Sequence, residues 1–468
     1  MAVFLKRIGS LCVEGVRRWL PDPFVFALLL TLAMGAMAMF WVDATLFGVI
    51  TGWYDGFWML LEFGMQMVLI LATGYAIALS APVMRLIDRL AGIITSPGQV
   101  YLVVLIAGGL LVFVSWGWVV LTAVLARELA SRVRGIDYPY LIAVTYLSSN
   151  AWVVGLSSSI PLLLNTPGNF LIESGLLPGI IPVSQTLGSP LNLVVAAVYL
   201  VVSPAVMWLM RPRSAVIELA ELRTDPDDAN RPSVADEADT MRLEEPALSD
   251  RLNASVLLQG VVALLGLGYV VVHFATNGFD LNLNLMIFIF LMLGLLLHRT
   301  PIRYVVAMGR ACSNISGIVF QYPFYAGIMG IMMATGLGKA IALWMASVAT
   351  LESLPVVAYV MGGVVNFSIP SAGGEWAVLG PPLVEAVREL AGTAGPAEIQ
   401  GHVARVAMAV AYGESLTNLL QPFFLLSVLP VMGAGVKIQA RDLMGYVLVP
   451  FVVLFVVIGL IVALVPVG

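Results

Sequence analysis

The sequence predicts an all-α polytopic membrane protein made of two inverted-topology repeats, with about nine transmembrane helices plus two re-entrant helical hairpins. Three observations carry that prediction. Hydrophobic residues make up 60% of the chain and charged residues 11%, against about 25% charged in soluble domains. Apolar runs long enough to cross a bilayer recur along the whole length. Polar, helix-breaking segments interrupt those runs at matching places in the two halves. The mean hydropathy is +0.97 and the charge deficit is distributed, which excludes a soluble enzyme on a single anchor. Two cysteines (Cys12, Cys312) and three scattered histidines (His273, His298, His402) supply neither a disulfide framework nor a metal cluster.

A span requires about 20 apolar residues. Lys6, Arg7, Arg17 and Arg18 precede the first apolar run, which has no small-residue cleavage site and reads as a first helix rather than a removed signal. Spans are expected at 23–42, 57–80, 138–164, 189–210, 251–274, 279–297, 311–336, 403–430 and 443–465. Two longer runs, 99–134 and 340–390, are broken at Ser115-Trp116-Gly117 and at Asn366–Pro382, and read as hairpins whose arms enter from one side. With a cytoplasmic N-terminus, 20 of the 23 Lys and Arg residues fall inside, and Lys339, Arg388 and Arg405 fall outside. That asymmetry collapses if either hairpin crosses fully, so the C-terminus is expected outside. The domain order is then 1–210 as the first repeat, 211–250 as an acidic cytoplasmic linker, 251–278 as a connecting helix and 279–468 as the second repeat. The linker holds eleven acidic residues and five arginines and reads as solvated.

The halves carry the same features in the same order. A span with a buried glutamine (Gln66, Gln321) precedes each hairpin. GWVVL (Gly117–Leu121) with AREL (Ala126–Leu129) in one hairpin matches EWAVL (Glu375–Leu379) with REL (Arg388–Leu390) in the other. After each hairpin a span is interrupted, by TYLSSNAW (Thr145–Trp152) and by YGESLTN (Tyr412–Asn418). Non-helical backbone survives at membrane depth only where protein or a watered cavity satisfies it, so these breaks are expected to meet around one site at the repeat interface.

The residue types indicate the ligand. No Lys or Arg falls near the breaks at the membrane centre. Half-helices restarting at Gly117 and at Gly373-Gly374 offer N–H groups and a positive dipole end to a carboxylate. Ser115, Ser149, Asn150, Ser157, Thr166, Asn366, Ser368, Ser371, Thr417 and Asn418 add hydrogen-bonding groups, and Trp116, Trp118, Trp152 and Trp376 an apolar wall. A small monocarboxylate with a short apolar tail fits this lining better than a sugar or a multiply charged acid. Na⁺ is expected against Asn150, Asn366, Thr417 and Asn418, with freed backbone carbonyls. Of three acids at membrane depth, Glu62, Glu375 and Glu414, the latter two are expected to carry a proton or to ligate Na⁺.

NFSIPSAGGEWAVLGP (Asn366–Pro381), QYPFYAGIMGIM (Gln321–Met332), LSSSIPL (Leu156–Leu162) with TPG (Thr166–Gly168), and ARDLMGY (Ala440–Tyr446) together make the chain resemble the bacterial short-chain fatty acid transporter family, over nearly its whole length except the linker. The resemblance implies an inner-membrane carrier for short monocarboxylates such as butyrate or acetoacetate. It also implies a homodimer that moves a transport domain against a scaffold, coupled to Na⁺ or H⁺. The chain departs from the family pattern at Val153-Val154, where His-Gly is expected, at Glu375, where glutamine is expected, and at Ser415-Leu416, where an aromatic is expected before Thr-Asn. Besides the lipid bilayer and the small anion, no nucleic acid partner and no cofactor other than a coupling ion is expected. Competing readings are a carrier of dicarboxylates or amino acids, an ion channel and a membrane-embedded enzyme. No His-Glu-x-x-His, paired-cysteine or Gly-x-Ser-x-Gly motif is present to favour the enzyme.

Overall fold

Because lipid offers backbone groups no partner, an apolar chain of this kind folds into helices, and a computed structural model bears that out. It describes residues 23–212, 216–223, 232–241, 247–278, 280–312, 316–366, 369, 371–421, 425, 428–433, 435–438 and 441–465. Among the described residues there is no strand, only one isolated bridge between Arg223 and Val436.

The first half runs α1 (Pro23–Trp41), α2 (Leu46–Gly56), α3 (Leu61–Ala78), the short amphipathic α4 (Ala81–Ala91), and α5 (Pro97–Val114) with Ser96 and Gln99 forming a reciprocal N-terminal cap. A 3₁₀ turn over Trp116–Trp118 leads into α6 (Val119–Arg132), which packs back on α5. Next come α7 (Tyr138–Ser148), a 3₁₀ stretch over Ser149–Val154, α8 (Ser159–Leu164), α9 (Phe170–Glu173) and α10 (Pro190–Met210). The linker holds α11 (Leu219–Leu222), α12 (Val234–Thr240) and α13 (Leu248–Asn253). The rest is α14 (Val256–Asn277), α15 (Leu283–His298), α16 (Pro301–Cys312), α17 (Ser316–Thr335), α18 (Leu337–Val348), α19 (Leu354–Val365), α20 (Ala372–Ala391), α21 (Pro396–Asn418), α22 (Leu429–Met432) and α23 (Arg441–Leu464).

Six helical segments among the described residues are long and apolar enough to cross a membrane, or seven if the bent pair α17–α18 is one span. Burial sorts them. The stretch Tyr138–Leu164 is 94% buried and lies at the centre, whereas Leu248–Asn277 is 17% buried and presents Leu257, Leu264, Leu265 and Val271 outward. One large apolar core runs through both halves.

Four expectations change in detail. The span expected at 57–80 is preceded by a further helix, α2, whose glycines and Asp55 hid it from a hydropathy reading. The run 340–390 is three helices: Gly336, at φ +76°, turns the chain by 81° between α17 and α18, and the helix–turn–helix is α19–α20, 354–391. In the span expected at 403–430, α21 runs unbroken through YGESLTN, where an interruption was expected, and ends at Asn418, and among the described residues α-helix resumes only with α22 at Leu429. The linker is not simply solvated. Ile217 O accepts from Tyr138 N at 2.8 Å, and Leu222 O from Lys437 N at 2.8 Å. In α12, Val234 and Ala238 pack with Ala76, Val306 and Ala307, and Arg310 binds Glu237 and, at 2.8 Å, the Pro232 carbonyl. Ser233 donates to Asp236 at 2.7 Å and holds that exposed carboxyl below the usual carboxylate range.

α2 lies on α17 at close range because small residues face each other four apart. A Cβ on Gly52 would sit 2.8 Å from Ala334 Cβ, and one on Gly56 2.8 Å from Ala326 O. Gly56→Ala is therefore expected to cost about 1–3 kcal/mol by overpacking. Gly260→Ala, with nothing within 4 Å, is expected to leave stability unchanged or slightly raised. Thermal unfolding of the two purified variants in detergent checks the pair.

Candidate functional site

The turn after α19 and the end of α21 meet inside the protein through one side chain. Asn366 Nδ2 donates to the Glu414 carbonyl at 2.9 Å, to Thr417 Oγ1 at 2.8 Å and to Asn418 Oδ1 at 2.7 Å. Thr417 donates back into its own helix, to the Glu414 carbonyl at 3.1 Å. Asn418 Nδ2 donates to Glu414 Oε1 at 3.0 Å, and Gln421 Nε2 donates to the Asn366 carbonyl. Asn366, Glu375, Glu414 and Ser415 are all 0% exposed. α19 ends at Val365 and α21 at Asn418, and side chains supply partners to the backbone and side-chain groups at those ends.

The first half reaches the same place. The backbone N–H of Trp116, in the turn between α5 and α6, donates to Ser157 Oγ at 2.8 Å, and Leu156 N donates to Phe113 O at 2.6 Å. This ties the α5–α6 turn to the break between α7 and α8. That break in turn touches the second half. Ser415 Oγ donates to the Asn150 carbonyl at 3.2 Å; the Tyr146 hydroxyl donates to the carbonyls of Asn418 and, at 3.1 Å, Gln421. Tyr412 donates to Asn192 Oδ1 at 2.9 Å, and Asn192 Nδ2 to Val154 O at 3.0 Å. Four interruptions far apart in sequence thus form one buried polar crossing.

Of the residues singled out in the sequence, Asn150, Ser157, Asn366, Glu414, Thr417 and Asn418 are joined in it. Ser115, buried, closes α5, and Gly117 is buried within the 3₁₀ turn that follows. Ser371 caps α20, with Gly374 N donating to its Oγ at 3.5 Å and the Tyr322 hydroxyl 3.1 Å from that oxygen. Gly373 and Gly374 allow a close approach: a Cβ on Gly373 would meet the Tyr322 hydroxyl at 2.6 Å and the Phe63 ring at 2.7 Å, and one on Gly374 the Tyr325 ring at 2.7 Å. Ser149 is satisfied inside its own turn, donating to Tyr146 O at 2.6 Å. Thr166 belongs elsewhere, donating to Leu162 O at 2.7 Å and accepting from Leu283 N at 3.2 Å. Ser368 lies outside the described residues. The oxygens of Thr417 and Asn418, expected at a Na⁺ site, are taken up as acceptors for Asn366. Among the expected site residues, Asn366 Oδ1, Glu414 Oε2 and both carboxyl oxygens of Glu375 are buried with no hydrogen-bond donor among the described residues.

Sequence reasoning missed Tyr146, Asn192, Tyr322, Tyr412 and Gln421. Tyrosine in an apolar run reads as an interfacial ring, and only its buried hydroxyl's partner reveals a structural role. Two cavities are lined by other residues. A groove of about 280 Å³ between α3 and α15 is lined by Glu62, Met65, Gln66, Leu69, Asn284 and Ile287, with Gln66 Nε2 donating to Asn284 Oδ1 at 2.9 Å. An adjoining space of about 30 Å³ is bounded by Glu62, Phe63, Thr166 and Glu173 among others. Phe63 stands between it and Tyr322, the rings 5.8 Å apart.

An all-α membrane-spanning fold whose interrupted helices meet in a buried polar crossing defines the class: a polytopic helical membrane protein of the kind that transporters use. Residues 4–467 match the family described as short chain fatty acid transporter. A relative from Escherichia coli strain K12 is 37% identical over 445 residues, covering 94% of this chain and 96% of the relative. One from Haemophilus influenzae is 33% identical over 447 residues, with the same coverages. Both carry the name "Putative short-chain fatty acid transporter". Among solved structures, the YdaH transporter of Alcanivorax borkumensis, described as having an unusual topology, is similar at a TM-score of 0.59 and 17% identity, covering 96% of this chain and all of that one. MtrF of Neisseria gonorrhoeae, described within a class of antimetabolite efflux pumps, is similar at 0.53 and 17%, covering 97% of each. These two show the fold. The chain belongs to the short-chain fatty acid transporter family.

Asn366→Ala removes the one donor shared by three buried acceptors, so it is expected to abolish transport and also to destabilise the protein by about 1–3 kcal/mol. Tyr146→Phe keeps the ring and loses only the hydroxyl's links across the halves, for about 1 kcal/mol and a partial loss of transport. Uptake normalised to correctly folded protein, with melting curves alongside, checks both.

Proposed function

We propose that the protein is a secondary active transporter of small organic anions, specifically short-chain monocarboxylates of the butyrate and acetoacetate kind, coupled to Na⁺ or H⁺. The observation that carries this reading is the crossing at Asn366, in a chain of this family. It is built from amide, hydroxyl and carboxyl groups, and no Lys or Arg side chain is hydrogen-bonded into it among the described residues. A multiply charged acid would require a fixed cation that this lining does not provide. A single carboxylate with a short apolar tail requires only N–H and O–H donors and an apolar wall such as Trp152 and Trp376. This reading keeps Ser115, Gly117, Asn150, Ser157, Ser371, Gly373, Gly374, Glu375, Glu414, Thr417 and Asn418 as the site.

The mechanism is alternating access, in which the two helix–turn–helix units and the broken helices move against a scaffold that includes α1, α14 and α15. Support comes from the order of elements. A membrane helix, a short helix, a helix–turn–helix, a broken helix and a last long helix occur as α3 to α10 and again as α17 to α23. Inverted repeats, a homodimer, a bacterial inner-membrane location, an N-terminus in the cytoplasm and a C-terminus outside belong to the same proposal. Catalysis is not part of it.

Radiolabelled butyrate is expected to accumulate above equilibrium in proteoliposomes under an inward H⁺ or Na⁺ gradient, with succinate and amino acids failing to compete. Equilibration without accumulation would point to a channel, and competition by succinate to a dicarboxylate carrier.

A further inference from the structure

We infer that Glu375 is the proton-binding group of this carrier, taking up one proton for each monocarboxylate anion so that proton and anion cross together with no net charge moved. The inference rests on the transport reading above and names its coupling ion.

Glu375 lies in the first turn of α20, its backbone N–H donating to Ser371 O at 2.8 Å. Its side chain is completely buried, and neither carboxyl oxygen has a hydrogen-bond donor among the described residues. An ionised carboxylate in such a place has lost water and gained nothing in return, whereas a proton removes the charge without any cavity.

Among the described residues, the groups facing it offer no cation. The elements packed against α20 include α8, α17, α18, α19 and α21, and Phe63 of α3 reaches its start. Their titratable and charged side chains are Glu62 and Tyr75 on α3, Tyr322 and Tyr325 on α17, Lys339 on α18, Tyr359 on α19, and Glu398, His402, Arg405, Tyr412 and Glu414 on α21; α8 has none. Lys339 acts on Glu385, further along α20, and Arg405 on Glu352. The ionisable group that acts on Glu375 is another buried carboxyl, that of Glu414.

Na⁺ fits less well. It requires several converging oxygens, and Thr417 and Asn418 already accept from Asn366. The start of α20 is close-packed against Tyr322, Tyr325 and Phe63, as the approaches at Gly373 and Gly374 require. A proton needs one oxygen and no space. The hydroxyls of Tyr322 and Ser371 lie 3.1 Å apart at the start of the same helix turn.

The test uses the full-length protein in liposomes clamped with K⁺ and valinomycin, protein-free vesicles as the blank, and labelled butyrate as the probe. Wild type is expected to accumulate butyrate under an inward proton gradient at zero voltage, and not under a Na⁺ gradient alone. Glu375→Gln is expected to lose gradient-driven accumulation, and its residual butyrate counterflow to lose its dependence on pH. Glu375→Asp, which keeps an acid, is expected to retain gradient-driven accumulation and controls for folding. Infrared difference spectra give a readout apart from transport: the carbonyl stretch of a protonated carboxylic acid should be present in wild type, shifted in the Asp variant and lost in the Gln variant. Wild-type accumulation by Glu375→Gln, accumulation driven by Na⁺ alone, or an unchanged carboxylic acid band in Glu375→Gln each overturns the assignment. Absence of butyrate counterflow in wild type would overturn the substrate reading instead, and the infrared band alone would then decide whether Glu375 binds the proton.

Discussion

The structure depends on one constraint: a helix broken inside a membrane must have its freed polar groups satisfied by other parts of the protein. The Asn366 carboxamide does most of this for the second half, reaching a carbonyl, a hydroxyl and a second carboxamide at the end of α21. Leaving any of these buried acceptors without a donor would cost more than the bond itself contributes, so the arrangement is specified by the penalty for failing to make it. That is why the interrupted helices sit in the middle and the uninterrupted ones outside. The stretch Tyr138–Leu164 is almost wholly enclosed, whereas α14, with no break to hide, exposes aliphatic side chains to lipid.

The crossing also explains how the halves are joined. Apolar packing in lipid is weakly directional, since lipid tails compete equally well for an apolar surface. Direction comes from close backbone contact and from hydrogen bonds. Close contact is used at the edge, where Gly52 and Gly56 bring α2 onto α17. Hydrogen bonds are used at the centre, where Tyr146 and Asn150 of one half meet Asn418, Gln421 and Ser415 of the other. The linker adds a third kind of tie on the polar side, with backbone pairing at Ile217 and Leu222 and the Arg310–Glu237 ion pair.

Much of this was legible in the residues. Asn366, Thr417 and Asn418 stood out as polar groups in helix-breaking surroundings, and they are hydrogen-bonded to one another. Glu375 and Glu414 stood out as acids in apolar stretches, and both are enclosed. What misled was similarity of residue type. Ser149 and Thr166 look like Ser157 in sequence, yet the first two are satisfied by their own helical turns, as hydroxyls in helices commonly are. The tyrosines were passed over for the opposite reason, because a ring in an apolar run gives no sign of where its hydroxyl points. The helix α2 escaped notice because small residues that permit tight packing also lower the hydropathy that marks a span.

The sequence by itself determined that the chain is a helical membrane protein, that its helices are interrupted at a few polar places, and that these places carry acids and amides but no fixed cation. Those are local properties: hydropathy sums over a short window, and proline and glycine act on their own turn. Only the tertiary structure decided which interruptions meet. Asn366 finds Thr417 across 51 positions and Tyr146 finds Asn418 across 272, and nothing in either neighbourhood names the other. A buried polar group will accept any partner of the right chemistry, so the choice among them belongs to the packing that brings one within reach.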